Sequence, residues 1–326
     1  DALPILMNPM TENIDPSPYD PGRFLEDLRT TAEAIQAPFN RSVVQQTLDV
    51  FDAELRRCVV QLKATCQEEA GVYYRFFYKW ERDLTALAQE HGLIPRESSP
   101  IVDLQQQVLT NYPGSTRAGL DLETGFGLAK VWTFTGRPTP IEQLCNLPAI
   151  PESVHQHLDF FQRHGLRHVF FVASDFQQNS MNVYFGLEED CRNENWLRSL
   201  AEETGESPDD EALSQMLASL AVSVGVGATF CWDSPEMGRW CLYGLNVPYD
   251  DPSLVDGVPP LPDRLQRFRK SAPTLNESPQ YNVAWSFGQA GLYTKLEKSY
   301  AKDADYFLTS EMGGNLTHPA ASGVDQ

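Results

Sequence analysis

The feature that most constrains the fold is a repeat of strand pairs separated by helical patterns. Apolar and polar residues alternate through five pairs of segments: 58–66 with 72–80, 118–123 with 127–135, 167–174 with 181–187, 222–232 with 238–247, and 281–288 with 292–300. A polar residue recurs in the second segment of each pair, at intervals of 52 to 57 residues. A period of this size indicates an architectural repeat of helix–strand–strand–helix units.

Ten antiparallel strands leave two exposed edges unless the sheet closes on itself. We therefore predict an α/β fold in one domain over residues 1–326. Its core is an antiparallel ten-stranded barrel of five αββα repeats with the helices outside. Residues 1–20 and 310–326 are predicted to be flexible tails.

The alternation of side chains indicates which face of each strand meets the helices. In "CVVQLKATC" the polar residues Gln61, Lys63 and Thr65 share one face, and apolar residues share the other. Helices need an apolar surface to pack on, so the apolar face should point outward. The lumen is then polar and solvent-filled, the reverse of a small barrel filled with aliphatic side chains. The same alternation assigns to the lumen Arg239, Cys241, Tyr243, Lys295, Glu297 and Ser299.

Composition restricts what such a lumen can bind. The chain has 45 acidic and 25 basic residues and a formal net charge of −20, so nucleic acid and anionic membrane surfaces are repelled. No apolar run reaches the length of a membrane span. The six cysteines are scattered without a CxxC pair, which favours reduced thiols in a cytoplasmic protein. An acidic protein that keeps Arg75 inside the aromatic stretch "VYYRFFYKW" is expected to hold an anion against it.

Several stretches resemble the ABBA, or PT-barrel, aromatic prenyltransferases. They are most similar to the soluble branch that prenylates 4-hydroxyphenylpyruvate in aminocoumarin biosynthesis. The matching stretches are "YRFF" (74–77), "GLAKVW" (127–132), "LPAIP" (147–151), "NVYF" (182–185) and "NVAWSFGQAGLYTKLEKSY" (282–300). The resemblance covers nearly the whole chain. It implies an enzyme of secondary metabolism that transfers a dimethylallyl group from dimethylallyl diphosphate to a carbon of an aromatic acceptor.

The resemblance also implies a site for the donor. Its diphosphate-binding residues would be Lys63, Arg75, Lys130, Asn182, Tyr184, Arg239, Tyr243 and Lys295. Fixed Arg and Lys donors stabilise the negative charge that develops on the leaving diphosphate. The expected catalytic residues are Lys130, Arg239 and Glu297. Glu297 would accept a phenol hydrogen bond or take the ring proton; the alternative is an ion pair with Lys295 or a lumen arginine.

No metal site or other cofactor is expected. Some members of the family bind Mg²⁺ through an aspartate at the position of Arg75, and an arginine there would repel the ion. The chain has no DDxxD or NDxxD run, and Asp250 and Asp251 have the pattern of a polar turn. We therefore expect prenyl transfer without Mg²⁺.

The acceptor is expected to differ from that of the aminocoumarin enzymes. Those enzymes carry an arginine for the acceptor carboxylate where this chain has Phe170. The substitution favours a less charged phenolic or fused-ring acceptor, with the alternative that Phe170 only fills space. The expected acceptor-binding residues are Trp132, Phe170, Trp285, Phe287, Glu297 and Ser299.

Other functions of such a barrel remain open at this point. A carrier that binds an anionic isoprenoid or aromatic ligand without chemistry would need the basic residues but not Glu297. The lack of metal-binding acidic runs argues against a phosphatase or an isoprenoid synthase. The two small-molecule substrates are the only partners expected, and the protein is expected to act as a monomer.

Overall fold

The structure is a computed structural model that describes residues 19–78, 83–112, 118–186, 193–205, 213, 216, 223–248, 261–288 and 291–302. The predicted tails lie outside the described residues, apart from Tyr19 and Asp20. Asp250 and Asp251 lie outside them as well.

A closed antiparallel barrel is the centre of the described fold. Its strands are β1 (Val59–Thr65), β2 (Tyr73–Tyr78), β3 (Ala118–Glu123), β4 (Gly127–Pro140), β5 (His168–Asp175), β6 (Ser180–Gly186), β7 (Ser223–Cys231), β8 (Met237–Pro248), β9 (Gln280–Gly288) and β10 (Tyr293–Ala301). Each strand pairs with its neighbour in sequence, and β1 also pairs with β10. Closure leaves no sheet edge to attract another chain. The predicted ten-stranded barrel is confirmed.

Helices surround the barrel. Those in the described residues are α1 (Pro21–Ala34), α2 (Arg41–Leu55), α3 (Leu84–Glu90), α4 (Pro100–Asn111), α5 (Ile141–Leu144), α6 (Glu152–Gln156), α7 (Leu158–Arg163), α8 (Glu194–Glu203) and α9 (Asp263–Ser271). Helix α1 begins where Asp20 accepts a hydrogen bond from the backbone N–H of Arg23 at 2.7 Å, with Pro21 in its first turn. Both features favour a helix start.

The main hydrophobic core lies between the helices and the outer face of the barrel. Phe24 of α1 packs its ring 4.7 Å from that of Tyr300 and 5.9 Å from that of Tyr74. Phe51 of α2 packs 5.5 Å from Phe76. Each of these side chains is fully buried, and burying a large apolar side chain contributes about 1.5–3 kcal/mol. With the apolar faces used in this way, the polar faces point into the lumen, as predicted.

The two ends of the lumen differ in the chain connections that they carry. Because all neighbours are antiparallel and each hairpin joins an odd strand to the next even one, the five hairpin turns meet at one end. We call this the hairpin end and the opposite one the crossover end. Lys63, paired with Tyr73, lies toward the hairpin end, whereas Val59, paired with Phe77, lies toward the crossover end.

Candidate active site

The lumen contains two adjacent cavities of different character. Toward the hairpin end lies a polar cavity of about 440 Å³, whose lining includes Lys63, Tyr73, Asp121, Lys130, Asp175, Arg239 and Lys295. Toward the crossover end lies an apolar pocket of about 80 Å³, whose lining includes Arg75, Phe77, Trp132, Phe170, Phe171, Tyr184, Tyr243 and Glu297. We use the names polar cavity and apolar pocket for these two sets.

Strand alternation brings four predicted bases together around the polar cavity. Lys63, Lys130, Arg239 and Lys295 come from β1, β4, β8 and β10, and each is at least nine-tenths buried or lines the cavity directly. Arg239 donates to Thr229 Oγ1 at 3.1 Å and to Tyr293 Oη at 2.7 Å. Such a concentration of cationic donors is suited to a polyanion.

Two carboxylates that the sequence analysis missed balance some of these bases. Lys63 Nζ lies 2.7 Å from Asp121 Oδ2, and Lys130 Nζ lies 3.0 Å from Asp175 Oδ2. Among the described residues Arg239 and Lys295 have no carboxylate partner. Alternation in "AGLDLE" could have placed Asp121 on the lumen face. Its ion pair could not be predicted from this segment, because the partner lies on another strand.

Arg75 finds its anions within the protein. Its Nε and Nη2 donate to the two carboxylate oxygens of Asp121 at 2.5 and 3.0 Å, and its Nη1 lies 3.0 Å from Glu297 Oε1. Burial alone would raise the pKa of Asp121, but the charges of Arg75 and Lys63 outweigh it and hold that pKa well below its usual range. Arg75 lines the apolar pocket rather than the polar cavity. Its geometry therefore differs from that of the direct diphosphate ligand expected from the sequence.

Tyr184 and Tyr243 also line the apolar pocket instead of the polar cavity. Burial raises the pKa of both phenols well above the usual 10, so both remain neutral hydrogen-bond donors. The rings lie 6.1 Å apart. A Cβ at Gly227 would lie 3.0 Å from Tyr184 and 3.3 Å from Tyr243, so a larger residue there would have to displace these rings slightly.

Asn182 forms a hydrogen bond with one of the bases and does not itself line the polar cavity. It accepts a hydrogen bond from Lys130 Nζ and donates through Nδ2 to Thr229 Oγ1 at 2.8 Å. Asn182 thus orients Lys130, and the predicted grouping of these two residues is present in the structure.

Cys241 is an additional buried group beside the polar cavity. Its Sγ lies 3.1 Å from Lys295 Nζ and 2.9 Å from Ser286 Oγ. Burial would raise the pKa of the thiol, but the charges of Lys295 and Arg239 lower it to about 7. The thiol therefore orients Lys295 without fully neutralising it at neutral pH.

A β-bulge builds the wall of the apolar pocket. The register of β5 against β6 shifts between Val169 and Phe171, so Phe170 and Phe171 both belong to the lumen cluster. Trp132 stacks on Tyr184, with ring centroids 4.3 Å apart, and the Arg75 guanidinium lies 4.3 Å from the Trp132 ring centre. Phe171 shares the face of Ala173 and Asp175 and so follows regular alternation into the lumen, whereas the bulge turns Phe170 to the same side. Trp132 and Phe170 were predicted from the sequence, and Phe171 was not.

Two predicted acceptor residues were placed on the wrong face. Trp285 pairs with Leu242 and belongs to the outer core. Phe287 borders the polar cavity near the end of β9, but its ring stacks on Trp240 at 4.2 Å in that same outer core. Neither ring therefore faces the apolar pocket. The reason is the alternation in β9, where Asn282 and Ser286 occupy the lumen face. Asn282 contacts Glu297 there, and Ser286 contacts Cys241.

Glu297 and Ser299 share the lumen face of β10. Glu297 lines the apolar pocket and accepts a hydrogen bond from Asn282 Nδ2 at 3.0 Å in addition to its pair with Arg75. The ion pair with a lumen arginine, the alternative raised by the sequence, is thus present. Ser299 is fully buried opposite Gln61 and lines neither cavity.

The described residues offer no cluster of three or more His, Cys, Asp or Glu side chains arranged to hold a metal ion. Of the three described carboxylates that line the polar cavity, Asp121 and Asp175 are paired with cations, and Glu69 is exposed. In the same described part of the chain, no helix combines the length and the apolar character needed to cross a membrane.

Comparison with known proteins places this barrel in a family. The family model described as "Aromatic prenyltransferase Orf2" matches residues 19–311. The chain is 31% identical over 291 residues to 4-hydroxyphenylpyruvate 3-dimethylallyltransferase from Streptomyces niveus, covering 89% of this chain and 88% of the relative. It is 25% identical over 297 residues to 5,10-dihydrophenazine-1-carboxylate 9-dimethylallyltransferase from Streptomyces anulatus, covering 89% and 96%.

The fold has a counterpart among solved structures. The 6-dimethylallyltryptophan synthase from Micromonospora olivasterospora, solved in complex with DMASPP and Trp, superposes with a TM-score of 0.52 at 12% identity. The superposition covers 91% of this chain and 98% of that one. The family indicated by the sequence motifs is confirmed, and so is the assignment to the transferases. The chain belongs to the aromatic prenyltransferase Orf2 family and is an aromatic prenyltransferase.

Proposed function

We propose that the protein transfers a dimethylallyl group from dimethylallyl diphosphate to a carbon of a neutral hydroxylated arene, without a metal ion. One observation carries the proposal. Arg239 and Lys295 have no carboxylate partner among the described residues, and they face a cavity of about 440 Å³ that adjoins an aromatic pocket. An anion site beside an aromatic site fits a substrate that separates into an anion and a carbocation.

The donor step is ionisation of the allylic C–O bond. The bonding electrons leave with the diphosphate, and fixed cationic donors stabilise that charge without reorganising. Lys63, Lys130, Arg239 and Lys295 are the residues for this role. The relatives from S. niveus and S. anulatus are both named as dimethylallyltransferases, which supports a five-carbon donor.

The carbocation is stabilised on the apolar side of the site. Aromatic faces attract a cation by about 0.5–2 kcal/mol each, and Trp132, Tyr184 and Tyr243 supply such faces. The same walls exclude water, which would convert the cation to an alcohol. The acceptor ring then attacks the cation through carbon, forming the new C–C bond, and loses its proton in a second step.

Glu297 is the proposed partner of the acceptor. It lines the apolar pocket, where its carboxylate can accept a hydrogen bond from an acceptor hydroxyl and so enrich the ring, or receive the ring proton. Its pair with Arg75 fixes the carboxylate in place. Arg75 thus acts on the acceptor side by positioning Glu297.

The size and charge of the pocket restrict the acceptor. By the family resemblance, Phe170 stands at the position where the aminocoumarin enzymes have an arginine, so a carboxylate on the acceptor has no partner from this position. A cavity of about 150 Å³ binds benzene, so a pocket of about 80 Å³ must widen when an acceptor enters. A single ring needs less widening than a fused one.

Several features support independence from metal. A magnesium ion needs free oxygen ligands, yet Asp121 is held by Lys63 and Arg75, and Asp175 by Lys130. The bases already supply the positive charge that magnesium would supply. This donor set fits the diphosphate itself and does not fit a metal ion.

We also propose that the enzyme acts as a cytoplasmic monomer. Cys58, Cys66, Cys145, Cys231 and Cys241 are free thiols, as expected in a reducing compartment. The net charge of −20 opposes association of like copies. Sedimentation at two ionic strengths tests the monomer.

A matrix of substrates tests the function. Dimethylallyl and geranyl diphosphate are each combined with resorcinol, 1-naphthol, 4-hydroxyphenylpyruvate and indole, and the product masses are measured. We expect dimethylallyl adducts of the uncharged hydroxyarenes. Binding of the donor without product from any of the hydroxyarenes would reject the acceptor class proposed here.

A further inference from the structure

Two buried polar atoms of the apolar pocket have no partner. Gln61 Oε1 and Trp132 Nε1 are both buried without a hydrogen bond among the described residues. Both side chains line the pocket, with exposures of 2% for Gln61 and 6% for Trp132. One atom is an acceptor and the other a donor. The pocket therefore presents a complementary pair of unused hydrogen-bonding groups.

The position of Gln61 places it beside the acceptor machinery. In the barrel wall it is paired with Arg75 of β2 on one side and Ser299 of β10 on the other. Arg75 contacts Glu297, and its guanidinium lies over the Trp132 ring. Gln61, Glu297 and Trp132 are thus grouped around one side chain, within the wall of one pocket.

Unused polar groups in such a place discriminate between ligands. A buried acceptor or donor without a partner costs free energy, and natural structures rarely tolerate it unless a ligand or water completes the bond. Water can occupy the pocket before the acceptor enters. An arene that displaces this water without replacing its hydrogen bonds loses affinity.

We propose that Gln61 is a specificity-determining residue whose Oε1 accepts a hydrogen bond from a hydroxyl of the arene, while Trp132 Nε1–H donates to an oxygen on the same arene. The inference rests on the proposed function and defines its substrate class. The acceptor is a neutral arene with at least two oxygen substituents, of which at least one is a free hydroxyl.

The test uses three rings that differ in hydroxyl groups but keep both ring oxygens: resorcinol, 3-methoxyphenol and 1,3-dimethoxybenzene. In the wild type, kcat/KM should fall as the hydroxyls are methylated, because a methoxy group cannot donate to Gln61. Gln61→Met keeps the length of the side chain and removes its acceptor. The preference for resorcinol over 1,3-dimethoxybenzene should then fall about tenfold, the scale of one hydrogen bond.

Other variants separate recognition from packing. Gln61→Glu retains an acceptor oxygen and should retain the hydroxyl preference. Trp132→Phe should lower kcat/KM for all three rings to a similar extent, since each carries an oxygen that can accept from the indole. Gln106→Met, the same substitution on the exposed side of α4, should leave every ratio unchanged. If Gln61→Met does not fold, Gln61→Leu gives the same comparison.

The outcomes distinguish the inference from the function on which it rests. Product from the wild type with an unchanged preference in the Gln61→Met variant would overturn the role of Gln61. No product from the wild type with any hydroxyarene in the substrate matrix would instead overturn the proposed function. A fall of about tenfold in the preference of the Gln61→Met variant, with 1,3-dimethoxybenzene turnover retained, supports both.

Discussion

Arg239 and Lys295 differ from the other bases of the polar cavity because neither pairs with a carboxylate among the described residues. Arg239 contacts two hydroxyl groups, and Lys295 contacts the thiol of Cys241. By contrast, Lys63 and Lys130 each pair with a carboxylate. The charges of Arg239 and Lys295 are therefore the ones most available to the leaving diphosphate.

Removing either of these charges should slow the ionisation step. Arg239→Ala and Lys295→Ala should each lower kcat by about 10²-fold, the scale for one preorganised charge-stabilising donor. Lys270→Ala, on the exposed surface of α9, is the matched control and should keep its rate. Steady-state kinetics measure kcat for each variant, and circular dichroism checks that each variant is folded. Full activity in both lumen variants would reject the site.

Binding of the donor should be accompanied by proton uptake at Lys63. Burial is the main cause that lowers its pKa, to about 8, so near pH 8 about half of the free enzyme carries a neutral Lys63. A bound diphosphate favours the charged form and raises that pKa. Lys63 should therefore contribute roughly half a proton to the proton uptake that accompanies donor binding at pH 8.

Calorimetry in buffers of different ionisation enthalpy measures this proton. The Lys63→Arg variant stays charged throughout this range and should lose the contribution of residue 63. Equal proton uptake in the wild type and the Lys63→Arg variant would contradict the linkage.

At the scale of elements, the bulge in β5 determines the acceptor wall. By turning Phe170 and Phe171 both inward, it places a ring where an arginine would meet an acceptor carboxylate. Phe170→Arg should raise the preference for 4-hydroxyphenylpyruvate over resorcinol by about tenfold to a hundredfold, the scale of a charge-assisted hydrogen bond. Desolvation of the new cation would reduce this gain.

The ratio of kcat/KM values for these two acceptors is the measurement for Phe170. A Phe171→Leu variant controls for loosened packing and should leave the ratio near that of the wild type. A wild type that already prefers 4-hydroxyphenylpyruvate would remove the reason to connect Phe170 with acceptor choice.

The same strands show which parts of the site could be predicted from the sequence alone. Alternation within one strand was sufficient to place Lys63, Arg239 and Lys295 in the lumen, because each strand alternates independently of its partners. Lys130 was expected there from the family resemblance. It could not pair Arg75 with Asp121 and Glu297, since those contacts depend on register across four strands. The bulge at Phe170 breaks the alternation itself. Trp285 and Phe287 were misplaced because a ring that suits a ligand pocket suits an outer core equally well.

At the scale of the whole molecule, buried charges connect the beginning and the end of the barrel. Arg75 of β2 pairs with Asp121 of β3 and with Glu297 of β10, and Lys63 of β1 joins the same group. These contacts cross the seam between β1 and β10 that closes the barrel. The network therefore stabilises the closure of the barrel and also positions the side chains of the site.

Breaking the network should destabilise the protein. Asp121→Ala leaves Lys63 and Arg75 with less compensation in the interior, and loss of one partner of a buried pair costs about 3–5 kcal/mol. Glu33→Ala, which removes an exposed partner of Arg29, should cost less than about 1 kcal/mol. Urea unfolding at pH 7 measures both values. An Asp121→Ala variant as stable as the Glu33→Ala variant would contradict this role.

The network also predicts a response to acid. Because the folded protein holds the pKa of Asp121 well below its usual range, its ionised form contributes stability above the unfolded pKa of about 4. That contribution is lost as the pH falls below about 4 toward the folded pKa. Urea unfolding of the wild type should become easier over this range, whereas the Asp121→Ala variant should show a flatter slope. Equal slopes would contradict the assignment.

The central claim is that the bases of this lumen, rather than a metal ion, stabilise the departing diphosphate. The most direct measurement is the rate of transfer from dimethylallyl diphosphate to resorcinol in excess EDTA, compared with the rate after magnesium is added back. The account predicts a product heavier by one dimethylallyl group, formed at nearly the same rate in both conditions. Loss of most of the activity in EDTA, with recovery on addition of magnesium, would contradict it.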